Sequence, residues 1–206
     1  YDEVLSIQKK EDKTFELKTA SESFFSKTII LAMGASFRML NVPMEKELTG
    51  KGVSYCATCD GAFFKGKEVV VVGGGDSALQ EGIFLTRFAT QVTVVHRRDS
   101  LRASPILQDR AKTNPKIKFI WDTVVEKVVG KDKVEGVVLK NLKTQATTDF
   151  KTDGLFVFVG HDPNSKLVRG VVNMNDHGYV LANGEGLQTS VEGIFAAGEI
   201  RFGAVK

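Results

Sequence analysis

The run Glu68-Val69-Val70-Val71-Val72, followed at once by Gly73-Gly74-Gly75, constrains this chain more than any other segment. Valine after valine, with no polar alternation, reads as a strand buried on both faces, the signature of a parallel sheet. From Asp76 to about Ala89 the apolar residues Ala78, Ile83, Leu85 and Phe88 are spaced for a helix. A second β-branched run, Gln91-Val92-Thr93-Val94-Val95, completes a βαβ unit. The expected class is therefore α/β.

Elsewhere the strand patterns are shorter. Thr28-Ile29-Ile30-Leu31-Ala32, ending at Gly34, reads as another buried parallel strand, preceded by alternation at Val4, Leu5, Ile7, Phe15 and Leu17. Strand-like runs follow at Ile117 to Trp121, Val124 to Val129, Val134 to Leu139 and Leu155 to Val159, with a helix from Ser104 to Lys112 and a last apolar run from Ile194 to Gly198. The stretch from Arg38 to Gly52, with Pro43 and Gly50, has no periodic pattern and reads as an interdomain crossing. The chain has no initiator Met, and its end, Gly198 to Lys206, stops as a strand hands over to a helix. It is expected to be a piece of something longer.

Composition excludes several classes. With 28 Lys+Arg against 25 Asp+Glu, net charge is 28 − 25 = +3, too little for a nucleic-acid footprint. No apolar run approaches the ~20 residues of a membrane span, and Tyr1-Asp2-Glu3 opens no signal peptide. Two cysteines cannot make a secreted disulfide scaffold. A soluble, cytoplasmic protein is the expectation that remains.

Gly73-x-Gly75-x-x-Ala78 follows a strand and opens a helix, which is where a dinucleotide fingerprint belongs. Gly73 permits the tight turn, Gly75 lets the backbone approach a pyrophosphate, and Ala78 lets helix and strand pack closely. The helix N-terminus offers unpaired N–H groups to the phosphates. The bland alternative is a glycine-rich turn without a ligand. An NAD site places a carboxylate at the end of the second strand; here His96 stands there, with Arg97, Arg98 and Arg102 close behind. Guanidiniums form charge-assisted bonds to a ribose 2′-phosphate, so NADPH is favoured over NADH.

The only cysteines, Cys56 and Cys59, form a CxxC pair, the spacing of a reducible disulfide. Zinc is the rival, but it needs four ligands, and there is no second CxxC and no suitably spaced histidine among His96, His161 and His177. Inert thiols are the remaining alternative. Asp60 is suited to protonate a departing thiolate, or else simply forms a turn ahead of Gly61.

Taken in order, CATCDG, GGGDSA, HRRDSLRAS, LFVFVGHDPN and GIFAAGE resemble the low-molecular-weight thioredoxin reductases, over essentially all 206 residues. CATCDG is the most specific of these motifs. The resemblance implies two Rossmann-like dinucleotide-binding domains of three-layer architecture, with an NADPH domain inserted into a discontinuous FAD domain. On that mapping residues 1–42 and 161–206 are FAD-domain pieces, and 43–160 is the NADPH domain carrying the CxxC. It further implies that electrons pass from NADPH through FAD to a Cys56–Cys59 disulfide and on to thioredoxin, that Cys59 faces the flavin while Cys56 attacks the partner, that Asp60 is the acid, and that the protein is a homodimer whose domains rotate about hinges near Arg38 to Glu47 and Gly160-His161. The GGGDSA motif brings Gly74, Asp76 and Ser77 into the nucleotide site. On the FAD side the relevant residues are Gly34, where the family reads ATG and this chain has Ala32-Met33-Gly34, and Gly198 with Glu199, where the family usually has Asp. The extra methylene of Glu199 changes the geometry toward a flavin hydroxyl. The family's first FAD fingerprint is not among these residues, and the chain alone is expected neither to hold FAD tightly nor to turn over. Two alternatives stay open: a reductase of a peroxiredoxin-type partner, and a catalytically silent NADPH-binding fragment.

Overall fold

In a computed structural model, which describes residues 2–184 and 186–204, the chain divides into two compact units. One runs up to Ser36 and resumes at His161; the other is Phe37–Gly160, inserted within it. The readings that touch Tyr1, Val205 and Lys206 lie outside the described residues.

The first unit begins with an antiparallel meander of β1 (Ser6–Lys9), β2 (Phe15–Lys18) and β3 (Ser23–Ser26). Glu16 of β2 pairs with Lys10. β4 (Ile29–Leu31) and β5 (Ala35–Phe37) follow.

In the second unit the order is β6 (Val53–Ser54), α1 (Ala57–Asp60), β7 (Glu68–Val72), α2 (Asp76–Leu85), β8 (Gln91–Val95), α3 (Pro105–Lys112), β9 (Ile117–Ile120), β10 (Thr123–Val129), β11 (Gly136–Asn141), β12 (Thr147–Lys151) and β13 (Gly154–Val157). Five strands form a parallel sheet in the order β6-β13-β7-β8-β9. The valine run lies at its centre and is covered on both sides. Because side chains alternate across a strand, Val69 and Val71 join Leu79 and Leu85 of α2, while Val70 and Val72 join Val125, Val137 and Leu139 of the β10-β11-β12 meander. The result is three layers: helices, parallel sheet, antiparallel meander. Each valine so buried contributes roughly 1.5–3 kcal/mol of transfer free energy. After β13 the chain returns to the first unit, where β14 (His161–Pro163) pairs with β5 and β15 (Ile194–Ala196) pairs in parallel with β4. The core of that unit gathers Phe15, Leu31, Val168, Val180, Ile194 and Ile200.

The structure departs from the sequence reading locally. α2 stops at Leu85 rather than Ala89, since Thr86 Oγ1 donates to the Ile83 carbonyl at 2.7 Å and competes with the helical ladder. Lys116 Nζ then donates to the carbonyls of Thr86 and Ala89 at 2.8 and 3.1 Å, so carbonyls of the turn that follows the helix are satisfied. Strand β12 is largely exposed and polar and gives no apolar signal. The patternless stretch 38–52 is packed into the second unit. The buried carboxylate of Glu45 accepts from the backbone N–H groups of Leu40 (2.9 Å) and Asn41 (2.7 Å), and Leu48 is fully buried. A segment organised around one anion shows no hydrophobic period.

Candidate functional site

The short edge strand β6 pairs with β13 and delivers the chain to Cys56 just past its carboxyl end. Cys56 has extended backbone and caps α1: its Sγ accepts from the Cys59 N–H at 3.2 Å and lies 3.3 Å from Thr58 Oγ1. Cys56 and Cys59 are joined in a disulfide, with Cα atoms 5.3 Å apart. Cys59 is exposed and Cys56 half-buried. The two donors aimed at Cys56 favour charge on that sulfur over the other. Scission of the bond at Cys59 therefore leaves the better-stabilised thiolate at Cys56.

Ser54, which sequence reasoning missed, organises this turn. It is buried at 4% exposure, and its Oγ accepts from the Cys56 N–H at 3.1 Å and lies 2.7 Å from Asp60 Oδ2 and 3.2 Å from the Cys56 carbonyl. A hydroxyl has one proton to give. Ionised Asp60 takes it; protonated Asp60 can donate to Ser54 instead, releasing the hydroxyl proton toward the Cys56 carbonyl. Asp60 thus touches the cysteine turn through Ser54. No motif marks a serine in Val53-Ser54-Tyr55, and only the fold brings it against a carboxylate six positions on.

The next residue, Tyr55, donates to Glu45 Oε1 at 2.9 Å and stacks on Phe37 at 5.9 Å. Burial, and then the Glu45 carboxylate, push its hydroxyl from 10.0 up to about 12. A raised acid pKa holds the proton more tightly in the fold, so the associated stability is present below pH 10.0 and lost as pH rises toward about 12. Denaturant titrations across that window should show the loss, and Tyr55→Phe should remove this component.

α1 packs against α2, whose N-terminus the glycine loop 73–75 leads into. Gly73, at φ 151, sits so close to its neighbours that a Cβ would come within 2.6 Å of Ala78 Cβ; this is the close helix–strand approach expected of Ala78. A Cβ on Gly74 would overlap the His96 ring, whereas beside Gly75 there is open space. The segment 96–104 is clasped to this loop by backbone bonds. Arg102 and Ala103 N–H groups donate to the Gly74 carbonyl at 2.8 and 3.1 Å, and Asp76 Oδ1 accepts from Ser104 N–H at 2.6 Å. Ser77 follows in the first turn of α2.

His96 is buried at 5% exposure, and its Nε2 has no hydrogen-bond partner among the described residues. Burial first, and then the charges of Arg102, Arg97 and Arg98, hold its pKa below the usual histidine value, against a hydrogen bond with the Ser100 backbone. The arginines Arg97, Arg98 and Arg102 are exposed, and their guanidiniums form no ion pair among the described residues. An open backbone at Gly75, an orphaned buried imidazole nitrogen and three uncommitted guanidiniums fit a phosphorylated dinucleotide.

In the first unit, Gly34 and Gly198 follow the carboxyl ends of the adjacent parallel strands β4 and β15, where open α/β sheets hold ligands. A Cβ at either would meet nothing within 4 Å. Glu199 is half-buried within the one-turn helix Gly198–Ile200. A carboxylate beside open backbone fits the hydroxyl-bearing part of a dinucleotide. The predicted site residues thus fall into three groups: Cys56, Cys59 and Asp60 at the α1 turn, residues 73–78 with His96, Arg97, Arg98 and Arg102 in the same unit, and Gly34, Gly198 and Glu199 in the other. No helix among the described residues is long and apolar enough to cross a membrane.

Comparison with known proteins gives a family match described as pyridine nucleotide-disulphide oxidoreductase, over residues 1–206. The chain is 51% identical over 186 residues to a thioredoxin reductase of Bacillus subtilis, covering 90% of this chain and 58% of that protein. It is 50% identical over 179 residues to a bifunctional thioredoxin reductase/thioredoxin of Mycobacterium leprae, covering 87% of this chain and 39% of the relative. Among solved structures, a thioredoxin reductase of Lactococcus lactis superposes with a TM-score of 0.88 at 42% identity, over 100% of this chain and 68% of that one. The chain spans about three fifths of the length of the curated relatives that it matches.

Proposed function

The chain belongs to the pyridine nucleotide-disulphide oxidoreductases, among the low-molecular-weight thioredoxin reductases, and we propose that it carries the NADPH-binding and disulfide-exchange centre of a reductase whose partner is thioredoxin. The observation that carries this reading is the Cys56–Cys59 disulfide, closed in a turn that packs on the helix of the nucleotide loop. Gly73, Gly74, Gly75, Asp76, Ser77 and Ala78 form the pyrophosphate cradle, and Arg97, Arg98 and Arg102 take the 2′-phosphate, with His96 beneath them. Gly34, Gly198 and Glu199 belong to the FAD side, where Glu199 accepts from a hydroxyl. FAD, when bound, supplies a two-electron relay between nicotinamide and disulfide.

The protein's own residues account for the exchange. Reduction at the exposed Cys59 sulfur breaks the S–S bond, and Cys56 leaves as a thiolate held by the Cys59 N–H and Thr58. Asp60, held by Ser54, supplies a proton to the pair. The Cys56 thiolate attacks the partner's disulfide and releases one partner thiolate. Cys59 then attacks the Cys56 sulfur of the mixed disulfide, restoring the Cys56–Cys59 bond and freeing the partner as a dithiol. A homodimer in the cytoplasm is the setting that the family resemblance supports.

The visible absorption spectrum, followed by anaerobic addition of NADPH, tests this reading. Flavin bands that bleach on NADPH, together with two titratable thiols per chain, support it. An FAD-loaded protein that binds NADPH but neither bleaches its flavin bands nor opens its disulfide overturns it in favour of a nucleotide-binding module without chemistry.

A further inference from the structure

The motif His96-Arg97-Arg98-Asp99 sets a carboxylate directly after two arginines meant for a dianion. Left to itself, Asp99 would compete with the phosphate for those guanidiniums. The structure turns it elsewhere. The tip between β11 and β12 is folded by Asn141, whose Oδ1 accepts from the N–H groups of Lys143 and Thr144 at 2.9 Å each. That tip is braced on the arginine segment through the backbone: Leu142 N–H donates to the Asp122 carbonyl at 2.6 Å, and Asp122 N–H donates to the Arg98 carbonyl at 3.2 Å. Lys143 Nζ is thereby set 3.4 Å from Asp99 Oδ2 and 2.9 Å from Asp122 Oδ2.

We propose that Lys143 is a positioning residue for nucleotide specificity, drawing the Asp99 carboxylate away from Arg97, Arg98 and Arg102 so that their guanidiniums stay open to a 2′-phosphate. The proposal rests on the NADPH reading above. Both carboxylates face Lys143, and the side chains acting on the Asp99 carboxylate are this ammonium and the Ser100 hydroxyl, with no guanidinium among them. The shared bonds hold the Asp99 carboxyl below its usual value and the Lys143 ammonium above its own. Exposed ion pairs contribute little to folding stability, so the role is separable from the fold.

The test is calorimetric titration of the whole protein with 2′,5′-ADP and with 5′-AMP, which differ only in the 2′-phosphate. The wild-type protein should prefer 2′,5′-ADP; absence of that preference overturns the NADPH reading itself. Given the preference, Lys143→Met should weaken 2′,5′-ADP by about tenfold with 5′-AMP unchanged, an effect that shrinks at high salt. In the Asp99→Asn background the same Lys143→Met change should have less than about a twofold effect, since no competing carboxylate remains. Two results overturn the proposal: unchanged 2′,5′-ADP binding in Lys143→Met, or an equal loss with and without Asp99, which would make Lys143 only one more positive charge. Thermal unfolding of each variant should match wild type, and an unfolded Lys143→Met would overturn the separation of positioning from fold.

Discussion

Serine at either Cys56 or Cys59 is expected to abolish NADPH-dependent reduction of thioredoxin by the flavin-loaded enzyme, a loss on the order of 10³-fold or more. Exchange requires a sulfur to attack and a second sulfur to resolve, and a hydroxyl does neither at neutral pH. The two variants should fail differently. Cys59→Ser leaves the thiolate at Cys56, where the Thr58 hydroxyl and the residue-59 N–H stabilise it. That thiolate still attacks the partner, and without Cys59 the mixed disulfide cannot resolve. Cys59→Ser should therefore accumulate a covalent adduct with thioredoxin, visible as a mass increase that dithiothreitol removes. Cys56→Ser should not. Accumulation of the adduct in Cys56→Ser instead would reverse the assigned roles of the two sulfurs.

Replacing Arg97 and Arg98 together with alanine should weaken NADPH by on the order of 100-fold and leave NADH nearly unchanged. Hydrogen bonds to charged groups contribute roughly 1.5–3 kcal/mol each. Both guanidiniums are exposed. Screening by water therefore reduces the sum for two such bonds toward about 2.7 kcal/mol, which corresponds to about 100-fold. Fluorescence titration with each cofactor measures it. Equal losses for NADPH and NADH would place the arginines on the shared pyrophosphate and remove the specificity assignment. The Gly74 cradle is buttressed by His96 and by the backbone of residues 102–103 rather than by these side chains, so the fold should survive the double substitution.

Much of this site was legible because its chemistry is local. The valine run, the glycine turn and Ala78 are contiguous, and each is demanded by the backbone it sits on: burial on both faces, φ 151 at Gly73, a helix packed hard on a strand. The CxxC pair is equally local, since three positions in one turn bring two sulfurs together whatever surrounds them. Elements without a local pattern were invisible. β12 lies exposed at the sheet edge and needs no apolar alternation, and residues 38–52 are ordered by a single buried carboxylate.

The sequence by itself determined the α/β class, the position of the glycine turn that opens α2 and the pairing of the two cysteines, because those depend on residues adjacent along the chain. It named Asp60 but not its partner, and Asp99 only as part of a motif. That Ser54 holds Asp60, that Glu45 is matched to Tyr55, and that Asp99 meets Lys143 across 44 residues were decided only by the tertiary structure. A hydrogen bond or ion pair falls off within a few ångströms, and which distant groups come that close depends on where the sheet and its meander close, not on anything written beside either residue.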